Sequence, residues 1–468
     1  MRKTKMVCTI GPRTCDLESL IHLAKGGMNV VRMNMSHGAH EWHQMVIDNV
    51  KTIRQENGFN LALMTDTKGP EVRTGDVAHP IELRTGDLLT VTREKLAEYP
   101  DNTVSISYDG FIDDVVLGDI ILIDSGLITL EVVQKSEHSV ILKSKDDGVV
   151  SSRRHVNIRG KSANIPAITE KDWEDIDFGL KNNVEFFALS FVNDAETVEE
   201  LRAYIKKQGG TTQIISKIES TGAINNLEAI VQVSDGIMVA RGDLGAELPF
   251  EEIPVLQERI VKLSRHYHKP VIVATQLLES MMINPTPTRA EVTDIHMAVI
   301  QGADAVMMSG ETANGNHPFK AQEVMDTVVR STEKYQDNEP SFNIDLFDSI
   351  NAETSVGAVV IANNINADAI IVFSATGKTA AFVSETRPKA PIYVFAGTEQ
   401  SAHQLALSWG IEAAALKFND EDPEESIQYA LIQLQQAGHL QSGNRVVVVS
   451  NIRATGGNVH AVQVRKVV

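Results

Sequence analysis

The sequence predicts an α/β protein: a (β/α)8 (TIM) barrel with a small all-β lid domain inserted in it and an open α/β domain after it. Three observations lead to this prediction. A short apolar run followed by a turn and a helical stretch recurs eight times. A β-rich segment interrupts the series after the third run. Beyond an acidic stretch, strands and helices alternate again.

The eight apolar runs are the predicted barrel strands. They are Met6–Gly11, Val30–Ser36, Leu61–Lys68, Phe186–Val192, Gln213–Glu219, Gly236–Asp243, Pro270–Gln276 and Asp304–Glu311. Continuously apolar strands with helix-length connections are typical of a parallel sheet covered on both faces. Eight such units favour a closed barrel. Thr197–Lys207 and Phe250–His266 are examples of the helices expected between them.

The interruption runs from Glu71 to Asn164 and consists of short β segments separated by turn dipeptides. Its predicted strands are Ile81–Leu83, Leu88–Thr92, Ile120–Ile123, Ile128–Val133 and Val140–Lys143. We therefore expect the barrel at residues 1–70 and 165–340, and the inserted domain at residues 71–164. An insertion at the catalytic face of a barrel would act as a lid.

The acidic stretch Gln336–Asp345 predicts a linker to a third domain at residues 341–468. The elements predicted there are helix Val356–Asn364, strand Ala369–Phe373, strand Ile392–Ala396, helix Ser401–Ser408 and strand Arg445–Ser450. The turn Ser374–Thr379 follows a strand and precedes a helix, so its amides, hydroxyls and lysine could hold a phosphate. It is shorter than a P-loop and does not by itself identify a ligand.

Composition excludes several classes of function. The 468 residues carry 43 Lys and Arg against 62 Asp and Glu, a formal net charge of −19, which disfavours duplex nucleic acid or an anionic membrane as the main partner. No apolar run approaches the ~18 residues of a membrane helix. Two cysteines, Cys8 and Cys15, provide neither a disulfide framework nor a Cys-based zinc site. We expect a cytoplasmic protein, or one of an organelle stroma if a transit peptide has been removed.

The predicted barrel strands end in polar side chains, at the face where such barrels carry their active sites. These side chains are Arg32, Asn34, Ser36, Asp66, Thr67, Lys217, Glu219, Arg241, Asp243, Thr275, Gln276, Ser309 and Glu311. Glu219 and Asp243 end consecutive strands, and two carboxylates with room for water and phosphate oxygens suit Mg²⁺. Alternatively, each carboxylate could pair with Lys217 or Arg241.

Lys217 lies within an apolar run, where a buried ammonium needs a partner or a role. Three interpretations are open: contact with a transferring phosphoryl group, an ion pair with Glu219, and a Schiff base of the aldolase kind.

Other polar residues of the mouth suit anions, cations or proton transfer. Arg32 and Arg73 offer guanidinium forks for phosphate oxygens. The turn that contains Gly242 could bind a carboxylate through its amides, and Thr275 could cap a helix, pack in the core or relay a proton. The oxygens that could hold a monovalent or divalent cation are those of Asn34, Ser36, Asp66 and Thr67. His37 fits a structural hydrogen bond better than a ligand role.

Eight ordered motifs make the sequence resemble the pyruvate kinases over nearly its full length. The motifs are Lys5–Pro12, Asn29–Gly38, Asp66–Arg73, Ser216–Glu219, Met238–Gly245, Ala274–Gln276, Pro287–Glu291 and Met308–Thr312. The segments Gly160-Lys-Ser-Ala and Glu170-Lys-Asp-Trp-Glu-Asp look more like the plastid-type branch than the animal-muscle type.

The resemblance implies phosphoryl transfer from phosphoenolpyruvate to ADP, giving pyruvate and ATP, the last step of glycolysis. It implies that Glu219 and Asp243 bind Mg²⁺, that Arg73 and Lys217 contact the phosphoryl group, and that Thr275 serves in protonating the enolate. Substrate contacts would include Arg32 and the amides of Gly242 and Asp243. Nucleotide contacts would include Arg32, Asn34 and His37. The implied K⁺ ligands are Asn34, Ser36, Asp66 and Thr67, and Glu71 matches family members that need K⁺.

The sequence also departs from the family. Asn193 and Asp194 stand where basic residues are frequent, and Val156–Gly160 replaces a commoner lid motif. The residues expected at an effector loop for a sugar phosphate are Ser374, Thr376, Gly377, Lys378, Thr379 and Arg453. The family is usually homotetrameric. Two other hypotheses are a Mg²⁺-dependent lyase or aldolase that uses Lys217, and a catalytically silent sugar-phosphate sensor.

Overall fold

A computed structural model describes residues 2–94, 100–124, 126–160, 165–335, 349–419, 422–454 and 457–468, with no side-chain description for 451–458. The predicted linker Gln336–Asp345 lies outside these residues. The barrel, the inserted β lid and the C-terminal α/β sheet are all present. The fold class predicted from the sequence is confirmed, while the domain boundaries remain a prediction.

Eight parallel strands close into the barrel. They are β1 (Lys5–Thr9), β2 (Val30–Asn34), β3 (Ala62–Asp66), β12 (Phe186–Leu189), β13 (Gln213–Ile218), β14 (Gly236–Ala240), β15 (Val271–Ala274) and β16 (Ala305–Met308). Seven of them lie within a predicted apolar run, and β1 begins one residue before its run. Nearly all of their residues are buried, because helices cover the outer face and side chains fill the interior.

Helices cover the barrel and begin at local sequence signals. They are α1 (Leu17–Lys25), α2 (His40–Asn57), α4 (Glu170–Asn182), α5 (Ala195–Lys207), α6 (Thr221–Asn225), α7 (Leu227–Val233), α8 (Arg241–Glu247), α9 (Ile253–His266), α10 (Arg289–Gln301), α11 (Gly310–Ala313) and α12 (Pro318–Tyr335). Thr169 and Asp172 form a reciprocal capping box at α4, as Thr288 and Glu291 do at α10. Asp194 caps α5 through the amide of Thr197.

The inserted domain consists of a two-stranded antiparallel sheet and a six-stranded sheet with one parallel pair, and it has its own apolar core. Its elements are β4 (Ile81–Leu83), β5 (Leu88–Thr92), β6 (Thr103–Ser105), α3 (Phe111–Asp114), β7 (Ile120–Ile123), β8 (Ile128–Lys135), β9 (Ser139–Ser144), β10 (Gly148–Val150) and β11 (Val156–Ile158). Its hinge to the barrel is held by Asp172, whose Oδ1 accepts from the amides of Lys68 and Gly69, both at 3.0 Å. The helix cap of α4 therefore also anchors the lid.

The C-terminal sheet has the order β19-β18-β17-β20-β21, with β21 antiparallel to β20. Its elements are α13 (Ile350–Asn364), β17 (Ala369–Ser374), α14 (Lys378–Glu385), β18 (Ile392–Ala396), α15 (Glu399–Gln404), β19 (Ile411–Ala415), α16 (Pro423–Gln436), β20 (Arg445–Ala454) and β21 (Gly457–Lys466). Ala406 and Leu407 join the cluster that fills the barrel interior. The short segment between α15 and β19 therefore packs against the N-terminal end of the barrel, opposite the catalytic face, where Lys5 at the start of β1 donates to the carbonyl of Ile411. None of the described helices has the length and apolar character needed to cross a bilayer.

Candidate active site

Four buried charged side chains meet at the C-terminal ends of the barrel strands. Arg32 on β2 contacts Asp66 on β3, Nε to Oδ2, at 2.6 Å. Lys217 on β13 lies 3.2 Å from Asp66 Oδ1 and 3.1 Å from Glu219 Oε2. Strand register brings them together, because parallel neighbours present their carboxyl ends at one rim. These four residues, all predicted from the sequence to end barrel strands at the mouth, therefore lie in contact with one another.

The charge balance keeps Lys217 protonated. Burial alone would lower its pKa, but Asp66, Glu219 and Asp243 raise the pKa well above its ordinary value. A Schiff base needs a neutral amine, so this environment argues against the aldolase interpretation. The pKa of Glu219 is raised as well. Burial is the main cause, the charge of Asp243 adds to it, and Lys217 acts in the opposite direction.

Glu219 carries a carboxylate oxygen that suits a metal ion. Its Oε1 accepts from the amide of Phe191 at 2.6 Å, whereas its buried Oε2 accepts no hydrogen bond and only faces Lys217. Among the described residues, no three His, Cys, Asp or Glu side chains group around a possible ion. The positive evidence for a fit to Mg²⁺ is the carboxylate oxygen of Glu219 that accepts no hydrogen bond and the nearby charge of Asp243, since Mg²⁺ needs few protein ligands and keeps water and substrate oxygens as the others.

Arg241 does not pair with either carboxylate. Its Nη1 contacts Asp294 at 2.7 Å, and its Nη2 donates to the carbonyl of Thr275. The alternative in which Arg241 neutralises Glu219 or Asp243 is therefore wrong. The alternative pairing of Lys217 with Glu219 is present, and it is compatible with a catalytic role because Lys217 also faces the mouth.

The turn after β14 packs against the end of β15. The amide of Gly242 donates to Thr275 Oγ1 at 2.9 Å. Thr275 and Gln276 have positive φ angles of 69° and 56°, an uncommon conformation for residues with a side chain. The amide predicted to bind a substrate carboxylate thus has Thr275 as its partner in this structure, and a carboxylate would have to replace that hydroxyl.

The four predicted K⁺ ligands lie on neighbouring strand ends, since Asn34 pairs with Asp66 in the β2–β3 register. Asn34 Oδ1 accepts from the amide of Ser36 at 3.1 Å. The carbonyl of Thr67 accepts from Ser190 Oγ at 2.7 Å. The oxygens therefore share one rim, and those of Asn34, Asp66 and Thr67 already take part in a local hydrogen bond or ion pair.

Arg73 lies at the edge of the lid, apart from the barrel cluster. Its guanidinium contacts Glu71 Oε2 at 2.8 Å, the carbonyl of Arg153 at 2.7 Å and His155 Nε2 at 2.7 Å. Burial lowers the pKa of His155, with Glu71 and Asp243 acting in the opposite direction. These lid side chains therefore lie within electrostatic range of Asp243, across the cleft between lid and barrel.

A cavity of about 570 Å³ opens beside the charged cluster. Its lining includes Arg32, Asn34 and His37, as predicted for nucleotide contacts, and also Pro12 and Trp42, which the sequence reasoning missed. Trp42 lies just beyond the motif Asn29–Gly38, so an aromatic residue near a predicted phosphate site was the available signal. Asn193 and Asp194, the departures from the family, bond to Ser220 and cap α5 respectively.

Glu247 at the end of α8 gives the lid-facing cleft a pH-sensitive group. Burial raises its pKa to about 7, although hydrogen bonds from Thr221 and Asn157 of the lid oppose the shift. A carboxyl whose pKa is higher in the folded state costs stability as pH rises from its ordinary range through about 7. Replacing Glu247 by Gln should therefore raise the melting temperature relative to wild type at pH 8 and change it little at pH 5.

Thermal unfolding of both proteins at the two pH values measures this difference. Glutamine differs from protonated Glu247 only by its amide, so the two proteins should differ mainly at the pH where Glu247 is ionised. Equal shifts in melting temperature at pH 5 and pH 8 would therefore contradict the assignment of the titration to Glu247.

The predicted effector loop lies at the start of α14. Gly377 has a φ of +82° there, which a side chain would disfavour. Lys378 and Thr376 are exposed, whereas Ser374 is buried at the end of β17. Thr379 Oγ1 donates to Asn351 Oδ1 at 3.1 Å. The side chain of Arg453 lies outside the described part of the chain.

Comparison with known proteins identifies the family. Residues 1–322 match the pyruvate kinase barrel domain and residues 352–464 the pyruvate kinase alpha/beta domain. The chain is 46% identical to plastidial pyruvate kinase 2 of Arabidopsis thaliana, covering all of this chain and 81% of that protein. It is 37% identical to the pyruvate kinase of Bacillus licheniformis, covering 99% and 80%.

A solved structure agrees with these matches. The crystal structure of a pyruvate kinase from Cryptosporidium parvum superposes with a TM-score of 0.93 at 34% identity, covering 100% of this chain and 96% of that one. The matched family models, the relatives, the fold and the charged cluster at the barrel mouth all agree, and the chain belongs to the pyruvate kinase family.

Proposed function

We propose that the barrel mouth performs the pyruvate kinase reaction through Lys217, Glu219, Asp243, Arg73 and Thr275. The observation that carries this proposal is the buried Lys217 ammonium, held protonated beside a carboxylate whose second oxygen accepts no hydrogen bond. Phosphoryl transfer needs positioned positive charge and a metal site more than a covalent nucleophile. The arrangement offers both.

The proposed reaction breaks the bond between phosphorus and the enol oxygen of phosphoenolpyruvate and forms a bond to a terminal oxygen of ADP. Lys217 places its charge on the phosphoryl oxygens, where negative charge is carried in the transition state. Mg²⁺, held by Glu219 and Asp243, supplies further charge neutralisation when bound. The enolate left behind takes a proton at carbon to give pyruvate, by a water route that includes Thr275.

Arg73 and a monovalent cation are proposed to complete the phosphoryl site. Arg73 lies on the lid, so it would reach the phosphoryl group as the lid closes over the cleft, leaving its contacts to Glu71 and His155. K⁺, held by oxygens of Asn34, Ser36, Asp66 and Thr67, supplies positive charge there when bound. Hard oxygen donors of this kind suit such an ion.

The 570 Å³ cavity is the proposed ADP site. Arg32, Asn34 and His37 line the side nearest the charged cluster, and Pro12 and Trp42 offer apolar surface for the base. Because a stacked aromatic ring is worth about 1 kcal/mol or more, Trp42→Ala should raise the KM for ADP roughly tenfold with little change in kcat. Steady-state kinetics test this, and an unchanged KM for ADP would place the base elsewhere.

We further propose that the C-terminal domain binds a regulatory ligand. An anionic ligand such as a sugar phosphate would bind at Ser374–Thr379, where Gly377 precedes the first residue of α14 and Lys378 is exposed.

A homotetramer is supported by exposed apolar side chains, among them Phe250, Val255, Ile350 and Val464. A reducing compartment, the cytosol or an organelle stroma, is supported by two free cysteines, one of them buried.

The decisive experiment is ATP formation from phosphoenolpyruvate and ADP, with and without Mg²⁺ and K⁺. Activity that requires both ions is the expected result. A rate independent of K⁺ would remove the proposed monovalent site while leaving the reaction, and no activity with any ion or sugar phosphate would favour the sensor hypothesis.

A further inference from the structure

The turn between β12 and α5 holds two of the charged groups described above. Ser190 and Phe191 follow β12 directly. The amide of Phe191, a residue with a φ of 52°, donates to Glu219 Oε1 at 2.6 Å. Ser190 is 1% exposed, and its Oγ lies 2.7 Å from Lys217 Nζ. Neither residue belongs to the set predicted from the sequence.

Hydrogen-bond geometry fixes the direction of the Ser190 contact. A hydroxyl has one proton and two acceptor lone pairs. The Ser190 hydroxyl donates to the carbonyl of Thr67 at 2.7 Å and has Asp66 Oδ1 as a more distant acceptor at 3.4 Å. The Lys217 ammonium has protons but no lone pair, so it donates to Ser190 Oγ. The backbone amide of Ser190 also donates to Thr67 Oγ1 at 3.0 Å. Ser190 is thereby held by Thr67 at both its amide and its hydroxyl.

The Lys217 ammonium has three oxygen neighbours: it donates to Ser190 Oγ and forms ion pairs with Asp66 Oδ1 and Glu219 Oε2. The two carboxylates raise the pKa of Lys217 and also reduce the net charge of the site. Ser190 differs because a neutral oxygen orients the ammonium and cancels none of its charge. Removing the Ser190 hydroxyl should therefore change where the Lys217 ammonium points without changing its protonation.

Close packing leaves the turn little freedom. A Cβ built at Gly69, the lid hinge, would lie 2.9 Å from Ser190 Cβ and 2.6 Å from Phe191 Cδ2. The hinge thus rests on the turn that holds Lys217 and Glu219. Rigid support of this kind is what a positioned charge in an active site requires.

We propose that Ser190 is a positioning residue of this enzyme, whose hydroxyl aims the Lys217 ammonium at the transferring phosphoryl group. The inference rests on the proposed role of Lys217. It predicts that loss of the hydroxyl lowers kcat about tenfold, as expected for a hydrogen bond to a charged group, with the KM for phosphoenolpyruvate within about twofold of wild type.

Two variants separate hydrogen bonding from packing. Ser190→Ala removes the oxygen and leaves a gap, whereas Ser190→Cys keeps the volume but has only a weak acceptor. The matched control is Ser216→Ala, a buried hydroxyl next to Lys217 in sequence that instead bonds to Ser234 Oγ at 2.6 Å. Activity as a function of pH is measured for all of them, together with melting temperature.

Equal losses of kcat in both Ser190 variants, an unchanged pH profile and a wild-type rate in Ser216→Ala would support the proposal. A wild-type rate in Ser190→Cys would show that packing alone matters and would overturn it, as would a shifted pH profile. If Lys217→Met is inactive while both Ser190 variants are normal, only the role of Ser190 fails. If Lys217→Met is active, the proposed function of Lys217 fails instead.

Discussion

Replacing Lys217 by methionine is expected to lower kcat by at least about a thousandfold, the scale on which positioned charges act in phosphoryl transfer. The ammonium is buried, protonated and within 3.2 Å of both Asp66 and Glu219. Methionine keeps the apolar stem and removes the charge. Because the cavity proposed to bind ADP is not lined by Lys217, the KM for ADP should change far less than kcat.

A matched lysine controls for general effects of the substitution. Lys269 is half-buried near the opposite end of the barrel and donates to the carbonyl of Ser234 at 2.6 Å, so Lys269→Met should retain wild-type kcat. Circular dichroism and melting temperature establish that Lys217→Met is folded. A folded Lys217→Met protein with more than about a tenth of wild-type kcat would contradict the proposed role.

A fall in the melting temperature of Lys217→Met is itself expected. Arg32 still pairs with Asp66 at 2.6 Å, but Glu219 loses its cationic partner in a buried site. Removing one member of a buried ion pair is costly because the other charge remains desolvated. The loss of activity must therefore be measured well below the melting temperature of the variant.

The parts of the fold that could be predicted are those whose signal is local. All eight barrel strands are apolar runs, because a strand covered on both faces has no polar side. The strands β6, β10, β11, β19 and β21 were not predicted. The first three have only three residues each. β19 reads Ile-Glu-Ala-Ala-Ala with weak strand propensity, and β21 is an edge strand with several exposed side chains.

The residues of the candidate site also divide into those that could be predicted from the sequence and those that could not. Lys217, Glu219 and Asp243 were predictable because strand ends of a barrel converge, so position in the strand implied position in space. Ser190 was not, because a serine after an apolar run has no distinguishing pattern until the fold brings β12 beside β3 and β13. The pairing of Arg241 with Asp294 likewise spans 53 residues, beyond the reach of local spacing.

Replacing Glu219 by glutamine is expected to separate metal binding from folding. The Mg²⁺ concentration for half-maximal activity should rise at least about tenfold, since an anionic ligand becomes a neutral amide. Folding should not suffer in the absence of metal, because burial raises the pKa of Glu219 and so already disfavours its charge. The amide of Phe191 can still donate to the oxygen of the glutamine side chain.

Thermal unfolding with EDTA and with Mg²⁺ provides a readout that does not depend on activity. Mg²⁺ should raise the melting temperature of the wild type by binding the folded state and leave that of Glu219→Gln nearly unchanged. Glu247→Gln is the matched control: it removes a second buried carboxylate, on the same helix as Asp243, that is not a proposed ligand, so its Mg²⁺ response should equal that of wild type. An undiminished Mg²⁺ shift in Glu219→Gln would place the metal elsewhere, since the Glu219 oxygen that accepts no hydrogen bond is the structural reason for placing it there.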